Sequence, residues 1–499
     1  MCTILVKRPV YFRLNNNHLS MDPVLFQNNE AGRKAFVELA SRAVQWISDY
    51  YKNIETYPVR SLVQPGDVYK QFPEKPAALP VTDDVVFKML DEVIIPGMTH
   101  WQHPDFYAFF PGNTSFPSIA AEILTAGMSA QCMLWESSPA AAELEQRCME
   151  WCRDLLGLPS GWQGVIQDTA SSATLTSLLT AREWKSGFSI SKRGFDGTVY
   201  RIYASAQAHS SIEKAVRLAG FGTDNLVHVG VDQNLSMIPE LLQEVIENDI
   251  RSGYIPTCII STIGSTGTGA IDPVEEISRI SGQYGLWHQV DAAYAGTALM
   301  LDEFAHLRLG LEGVDSFVFN PHKWMFVQFD CSAYYVRDPE LLVRTMSITP
   351  SYLMTSQGRR VNDYRDWGIP LGRRFRALKL WMTLQLLGTD AIKSRLRHHV
   401  NLAKKVEAML LSDDRLEMAF PRSLNILTFR LTSSLDPEGR LTKEFSQAIN
   451  NSGKAYMTHA VVEGRSLIRW VTGQTNTEER HIEHTWTLIQ SLLDKILSR

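Results

Sequence analysis

Ser316-Phe317-Val318-Phe319-Asn320-Pro321-His322-Lys323-Trp324 is the stretch on which the reading of the fold turns. Its opening residues form a short, mostly apolar run, and Asn320-Pro321 closes it with a turn signal, so it predicts a strand. A strand without polar alternation must be covered on both faces, as strands of parallel sheets are. Similar runs occupy residues 200–204, 226–231, 258–263, 286–291 and 333–336. Between them, residues 211–219, 239–250 and 273–284 carry helical spacing. Alternation of this kind from about residue 155 to 337 predicts an α/β domain built on a mostly parallel sheet. Ligands of such sheets bind beyond the carboxyl ends of the strands, where Asn320 to Trp324 fall.

The flanks read differently. Residues 1–20 have no periodicity and are expected to be a disordered tail. Residues 31–51 place Phe36, Val37, Leu39, Ala40, Val44, Trp46, Ile47 and Tyr50 at helical spacing, an amphipathic helix whose apolar stripe needs a cover. Pro58, Pro65, Pro73, Pro76 and Pro80 then make an extended connector. Beyond Arg376, a long helical stretch leads to a smaller unit with strands expected near 426–431, 455–461 and 467–471 and a last helix over 477–497. The expected division is therefore an N-terminal helical segment over 21–90, a large domain over 91–376 and a small α/β domain over 377–499.

Composition excludes several classes of function. With 49 Lys and Arg against 54 Asp and Glu, the formal charge of -5 offers no basic excess for nucleic acid. No run of eighteen or so apolar residues is present to span a bilayer. Pro9 and the polar run Asn15, Asn16, Asn17 interrupt any secretory signal, so a cytoplasmic protein is expected. The six cysteines form no staple pattern and suit buried positions in a reducing compartment. Cys148 and Cys152 could share a helix face with a metal, but no second Cys/His pair follows, and none is expected.

Three spots carry chemistry. Lys323, beside His322 and Trp324 just past a buried strand, is poorly placed for an ordinary solvated charge. Desolvation there would lower its pKa and make the amine nucleophilic, as a Schiff-base lysine requires; a surface lysine is the plain alternative. Asp291 closes residues 286–291 where a ligand of the sheet would sit, and its plain alternative is a helix cap. The small polar turn Gln167-Asp168-Thr169-Ala170-Ser171-Ser172 precedes a helical stretch, so its free amides suit an anion such as phosphate; here capping alone is the plain alternative.

In that order, a phosphate turn, an acid at one strand end and a nucleophilic lysine at a later one match pyridoxal phosphate enzymes of the aspartate-aminotransferase-like fold, fold type I. Asn-Pro-His-Lys-Trp at 320–324, Val-Asp-Ala-Ala-Tyr-Ala-Gly at 290–296, Gln-Ala-His-Ser-Ser at 207–211 and Trp-Gly-Ile-Pro-Leu-Gly-Arg-Arg-Phe-Arg at 367–376 resemble the group II pyridoxal-phosphate-dependent decarboxylases, nearest to the aromatic-L-amino-acid decarboxylases. The resemblance runs from about residue 31 to the C-terminus.

It implies pyridoxal 5'-phosphate held as a Schiff base on Lys323, with Asp291 on the pyridine nitrogen, His209 stacked on the ring and Ala293 against its other face. Ala170, Ser171 and Asn320 would hold the phosphate, with Thr262 and His322 lining the site. Without the resemblance, His209 reads as a core histidine. The implied reaction is decarboxylation of an aromatic L-amino acid of the tryptophan, tyrosine, phenylalanine or dopa type to its amine. Tyr352, in a polar stretch over 347–361 that reads as a mobile loop, would return a proton to the α-carbon. Relatives that divert to aromatic acetaldehydes generally lack this tyrosine or the histidine matching His209, and this chain has both. The alternatives are such an acetaldehyde synthase and a non-catalytic relative keeping the fold. Trp101, Phe109, Phe110, Pro111 and Gly372 would line the side-chain pocket, with Arg373 nearby and Arg374, Arg376 and Lys379 on a solvated or paired face. A homodimer is implied, with the N-terminal segment exchanged between subunits and the active site at the interface. Two departures stand out: Gln289 where relatives often have histidine, with His288 one position earlier on the opposite strand face, and Gly112 where many have threonine.

Overall fold

A computed structural model describes residues 24–348, 361–462 and 464–498. Seven strands form the large sheet: β1 (Gln163–Gln167), β2 (Tyr200–Ser205), β3 (Leu226–Val229), β4 (Ile255–Thr262), β5 (Trp287–Asp291), β6 (Ser316–Phe319) and β7 (Ser332–Val336). Their spatial order is β1-β7-β6-β5-β4-β2-β3. The strands from β3 to β6 pair in parallel, and β7 runs antiparallel to both β6 and β1. The mostly parallel sheet is thus correct, and the strict alternation fails at its far edge. There β7 follows β6 without the long helical crossover that a parallel neighbour demands, so it returns in the opposite direction.

β1 carries no strong signal, because its apolar core is only Val165 and Ile166, with Gly164 and two glutamines around them. Gly164 is needed there: a Cβ would lie 2.4 Å from Met149 and 2.7 Å from the Tyr335 ring of β7. Every residue of β5, β6 and β7 is buried, as strands covered on both faces are, including the polar His288, Gln289 and Asp291 of β5. Helix Ala170–Lys185 crosses one face of the sheet, tying Ser177 to Ser316 (2.8 Å) and to the Trp287 indole (2.9 Å).

The small unit is an antiparallel sheet of β8 (Leu416–Met418), β9 (Ile426–Leu431), β10 (Thr458–Val462) and β11 (Arg465–Val471), in the order β10-β11-β9-β8. β8 was not expected, and β10 begins three residues later than its apolar pattern suggests. The boundary expected after Arg376 falls on the first residue of helix Arg376–Leu387. Ala377, Leu380 and Leu384 of that helix belong to the same buried cluster as Val290 and Phe317, so the large core continues past it.

The N-terminal helix is Glu30–Asn53, close to expectation, and Gly32 is its only fully buried residue. Phe36, Val37 and Val44 are at least half exposed while Leu39, Ala40, Trp46, Ile47 and Tyr50 are half-buried, so part of its stripe is uncovered. The tail expected over 1–20 and Tyr352 lie outside the described residues. Cys132, Cys148, Cys152, Cys258 and Cys331 are all free and buried, which agrees with the packing role. Among the described residues no cluster suits a metal, and no helix is long and apolar enough to cross a membrane.

Candidate active site

β6 delivers the lysine. Past Phe319, the Asn320 amide donates to Ala293 O (2.9 Å), and Pro321 opens a single-turn helix, Pro321–Trp324. Lys323 is half-buried, with Nζ over the Phe110 ring, 5.2 Å from its centroid. Loss of hydration lowers its pKa to about 8; Asp291 opposes the shift and the Arg469 cation adds to it. The amine is therefore neutral far more often than an ordinary lysine, the state a nucleophile needs.

Asp291 ends β5 at a position paired with Thr262 of β4 and Val318 of β6. It is buried, and its Oδ1 accepts from the Ala293 amide (3.0 Å). Thr262 Oγ1 is buried without a hydrogen-bond partner, an orphan at the strand end that a ligand would satisfy. Gln289 shares the face of Asp291 and donates to Thr174 of the covering helix (3.2 Å), with its Oε1 unpartnered. His288 points the other way, onto Ser261 (2.7 Å), and burial pushes its pKa down to about 3. The histidine displaced by one position therefore serves the packing between strands.

The phosphate turn is the N-terminus of the 16-residue helix Ala170–Lys185, which starts earlier than the apolar pattern indicates. Thr169 caps it by accepting from the Ser172 amide (3.4 Å), leaving the amides of Ala170 and Ser171 without intrahelical acceptors at the positive end of the dipole. Asn320 approaches from β6, with its Oδ1 accepting from Ser332 (2.6 Å).

His209 is not a core histidine. It is exposed and caps helix Ser210–Leu218 through Nδ1, which accepts from the Ser211 amide (3.1 Å). Its pKa is lowered by partial loss of hydration, with Asp291 opposing and Lys323 reinforcing, which places all three groups in one electrostatic neighbourhood. The His322 ring instead accepts from the Cys331 amide (2.9 Å) and packs edge-on against Phe329. Burial brings its pKa to about 3 and keeps it neutral.

On the substrate side, Phe110 stacks face to face on Tyr294 (4.0 Å between centroids, 5° between planes), and Tyr294 stacks on Trp324 (5.1 Å). Trp101 and Phe109 stack at 5.5 Å and remain partly exposed, while Pro111 is buried. Gly372 lies against Gln131, whose Nε2 would be 3.3 Å from a Cβ there. Among the described residues, Trp101, Phe109 and Gly372 make no hydrogen bond or ring contact with Lys323. Gly112 O accepts from Gln102 (2.7 Å). Arg373 forms a buried ion pair with Glu145 (2.6 Å) and also donates to Ile166 O. Arg376 pairs with Asp330 and Lys379 with Glu122 (2.7 Å), so this face is paired; Lys379 is fully buried rather than solvated.

Arg469, which no sequence signal singled out, completes the site from β11 of the small sheet. It is 3% exposed, and its guanidinium lies 5.3 Å from the Phe110 centroid. Only Nη1 is engaged, with Thr458 Oγ1 (2.7 Å); Nε and Nη2 are buried and unpartnered. Tyr294 stacks on Phe110, and Lys323 Nζ and the Arg469 guanidinium both lie over the same ring, 5.2 and 5.3 Å from its centroid. Two cations over one ring, one holding unused donors, form a site for an anionic ligand.

The profile of the pyridoxal-dependent decarboxylase conserved domain matches residues 65–432. Tryptophan decarboxylase 2 of Oryza sativa subsp. japonica is 39% identical over 475 residues, covering 93% of this chain and 95% of that protein. Phenylacetaldehyde synthase of Arabidopsis thaliana is also 39% identical, over 91% of this chain and 95% of its own. The crystal structure of Catharanthus roseus tryptophan decarboxylase in complex with L-tryptophan superposes with a TM-score of 0.89 at 38% identity, covering 94% of this chain and all of that one. The chain belongs to the pyridoxal-dependent decarboxylase family, and its fold is fold type I.

The residues present fit pyridoxal 5'-phosphate. A lysine with a lowered pKa, a buried acid, a buried hydroxyl without a partner and two free helix-terminal amides stand at or just past the carboxyl ends of strands of one sheet.

Proposed function

We propose that this protein removes the α-carboxyl group of aromatic L-amino acids as carbon dioxide and releases the amines. The observation that carries the reading is the Phe110 ring, over which lie both the lowered-pKa amine of Lys323 and the Arg469 guanidinium, whose Nε and Nη2 have no partner. Pyridoxal phosphate, when bound, supplies a conjugated ring that accepts the electron pair left at the α-carbon. In this reading Lys323 would hold the cofactor through its neutral amine. The amides of Ala170 and Ser171, with Asn320, would hold the phosphate, Asp291 would pair with the ring nitrogen and Thr262 Oγ1 would gain a partner. His209 and Ala293 would line the ring, and the neutral His322 would close the wall behind the lysine.

Arg469 meets the substrate carboxylate and sets its direction, which decides the bond that breaks. Phe110, backed by Tyr294, offers a flat face to an aromatic side chain, with Trp101, Phe109, Pro111 and Gly372 extending the pocket. Tyr352 returns the proton to the α-carbon. A second copy of the chain covers the exposed apolar stripe of helix Glu30–Asn53, making a homodimer. The free buried cysteines suit a reducing cytoplasm.

The test is borohydride reduction of protein loaded with pyridoxal phosphate. Wild type should retain the cofactor covalently and Lys323→Ala should not; covalent retention by the mutant would refute the assignment. Product assays over tryptophan, tyrosine, phenylalanine, dopa, histidine and glutamate then identify the substrate. Hydrogen peroxide and ammonia released alongside carbon dioxide would instead mark an acetaldehyde synthase.

A further inference from the structure

The backbone of Lys323 has a bonding problem that the lysine's own segment leaves unsolved. Its helix is a single turn, and the chain then leaves helical geometry, with Phe326 at φ 62°. The amide that would serve the Lys323 carbonyl in a longer helix, that of Val327, bonds Pro321 O instead (3.3 Å). A buried carbonyl in this position needs a donor from elsewhere. Asn113 supplies it, with Nδ2 donating to Lys323 O at 2.7 Å.

Asn113 is 1% exposed, and every bonding position of its amide is used. Nδ2 also donates to Gly473 O (2.7 Å), while Oδ1 accepts from both the amide and the hydroxyl of Thr475 (2.8 and 2.9 Å). Two carbonyls at one end and a backbone N–H at the other permit one orientation of the amide. The residue is thus a rigid joint between Lys323 and the 473–475 turn that follows β11. Thr475 is held in turn by Arg395 (2.9 Å from Nε to its carbonyl), and the neighbouring Trp324 is held by His399 (3.0 Å). Asn113 also lies three residues beyond Phe110, over which the lysine amine rests. One short segment therefore holds both ends of Lys323, a wall at the amine and a clamp at the carbonyl.

We propose that Asn113 is a positioning residue for Lys323, fixing the peptide from which the side chain swings so that its amine returns to one place over Phe110. The inference rests on Lys323 being the lysine that carries the cofactor. In that attachment the neutral amine adds to the aldehyde carbon, a C=N bond replaces C=O, and the oxygen leaves as water with the two amine protons. A displaced peptide would slow this step without altering the phosphate turn or Asp291.

The experiment mixes full-length apoprotein with pyridoxal phosphate and follows the rise of lysine-bound absorbance, checked by borohydride trapping. Asn113→Ala should attach the cofactor about ten- to a hundredfold more slowly than wild type. Asn113→Ser, whose hydroxyl keeps one donor, should recover part of that rate. Thr475→Val removes a hydroxyl bonded to Asn113 and Thr114 O but leaves the Lys323 clamp intact, so it should lower thermal stability and attach at the wild-type rate. If Asn113→Ala yields no folded protein, Asn113→Ser against Thr475→Val makes the same comparison. A wild-type rate in the Asn113 variants, or equal slowing in Thr475→Val, would overturn the inference. Lys323→Ala run in parallel separates the two claims, because covalent trapping there would sink the lysine assignment itself.

Discussion

Replacing Arg469 by Met keeps a long side chain in β11 while removing a buried cation beside Phe110 whose Nε and Nη2 have no partner. Hydrogen bonds to charged groups contribute about 1.5–3 kcal/mol each. Two lost donors, Nε and Nη2, therefore weaken carboxylate binding by at least ~3 kcal/mol, a factor of about 10² in Kd. The amine product has no carboxylate and should lose little. The assay is spectral titration of the loaded protein with an aromatic L-amino acid ester, the free acid and the amine. In Arg469→Met, affinity for the acid should fall about a hundredfold while ester and amine change less than about threefold, a gap of about 2 kcal/mol or more. A second signature follows from the sign of the charge: Arg469 helps lower the Lys323 pKa, so its removal should raise that pKa. Equal weakening of all three ligands, with Lys323 unmoved, would refute a carboxylate role and leave Arg469 as packing.

The remaining predictions are more direct. Lys323 attacks only when neutral, and a pKa lowered from 10.5 to about 8 places that transition well below the ordinary lysine range. Cofactor attachment to the apoprotein should climb with pH through about 8 and level off above it; at pH 7 about a tenth of the amine is neutral, some 300-fold more than for an ordinary lysine. A rise still continuing at pH 10 would show that the amine is not desolvated. Gly473→Ala would put a Cβ 2.1 Å from the Tyr294 hydroxyl and 2.9 Å from Asn425, so stability in denaturant should drop by about 1–3 kcal/mol and product formation should fall as the stack under Phe110 shifts. Unchanged denaturation would mean the turn yields freely. Tyr352→Phe should lose amine product and release some aldehyde, measured by product chromatography; unimpaired amine formation would remove Tyr352 from the mechanism.

Much of the large sheet was legible because burial on both faces leaves a trace in the chain. Runs such as Phe317-Val318-Phe319 have no polar alternation, and β6 has its expected ends. β1 left no such trace, since its place at the edge rests on Gly164 fitting against Tyr335, a contact between distant segments. The antiparallel turn of β7 was equally silent, because an apolar run says how deeply a strand is buried and nothing about its direction. His209 shows what the residues alone left out: a single histidine among small residues reads as core without the resemblance, yet its ring is exposed and its Nδ1 caps a helix.

Residues whose role lies in their own chemistry and immediate neighbours declared themselves in the sequence. Lys323, Asp291 and the 167–172 turn sit where strands end, and strand ends can be read from local pattern. Groups that matter through their partners did not. Arg469 is one more arginine in a strand until β11 carries it over Phe110, and Asn113 is one polar residue in a turn until the fold brings the carbonyls of Lys323 and Gly473 to its amide. A local pattern records which atoms are available, whereas desolvation and unmet hydrogen bonds arise only when distant segments close around them. The sequence by itself therefore determined the class of sheet and singled out Lys323 as the proposed nucleophile, and the tertiary structure decided which cation, which clamp and which aromatic ring stand beside it.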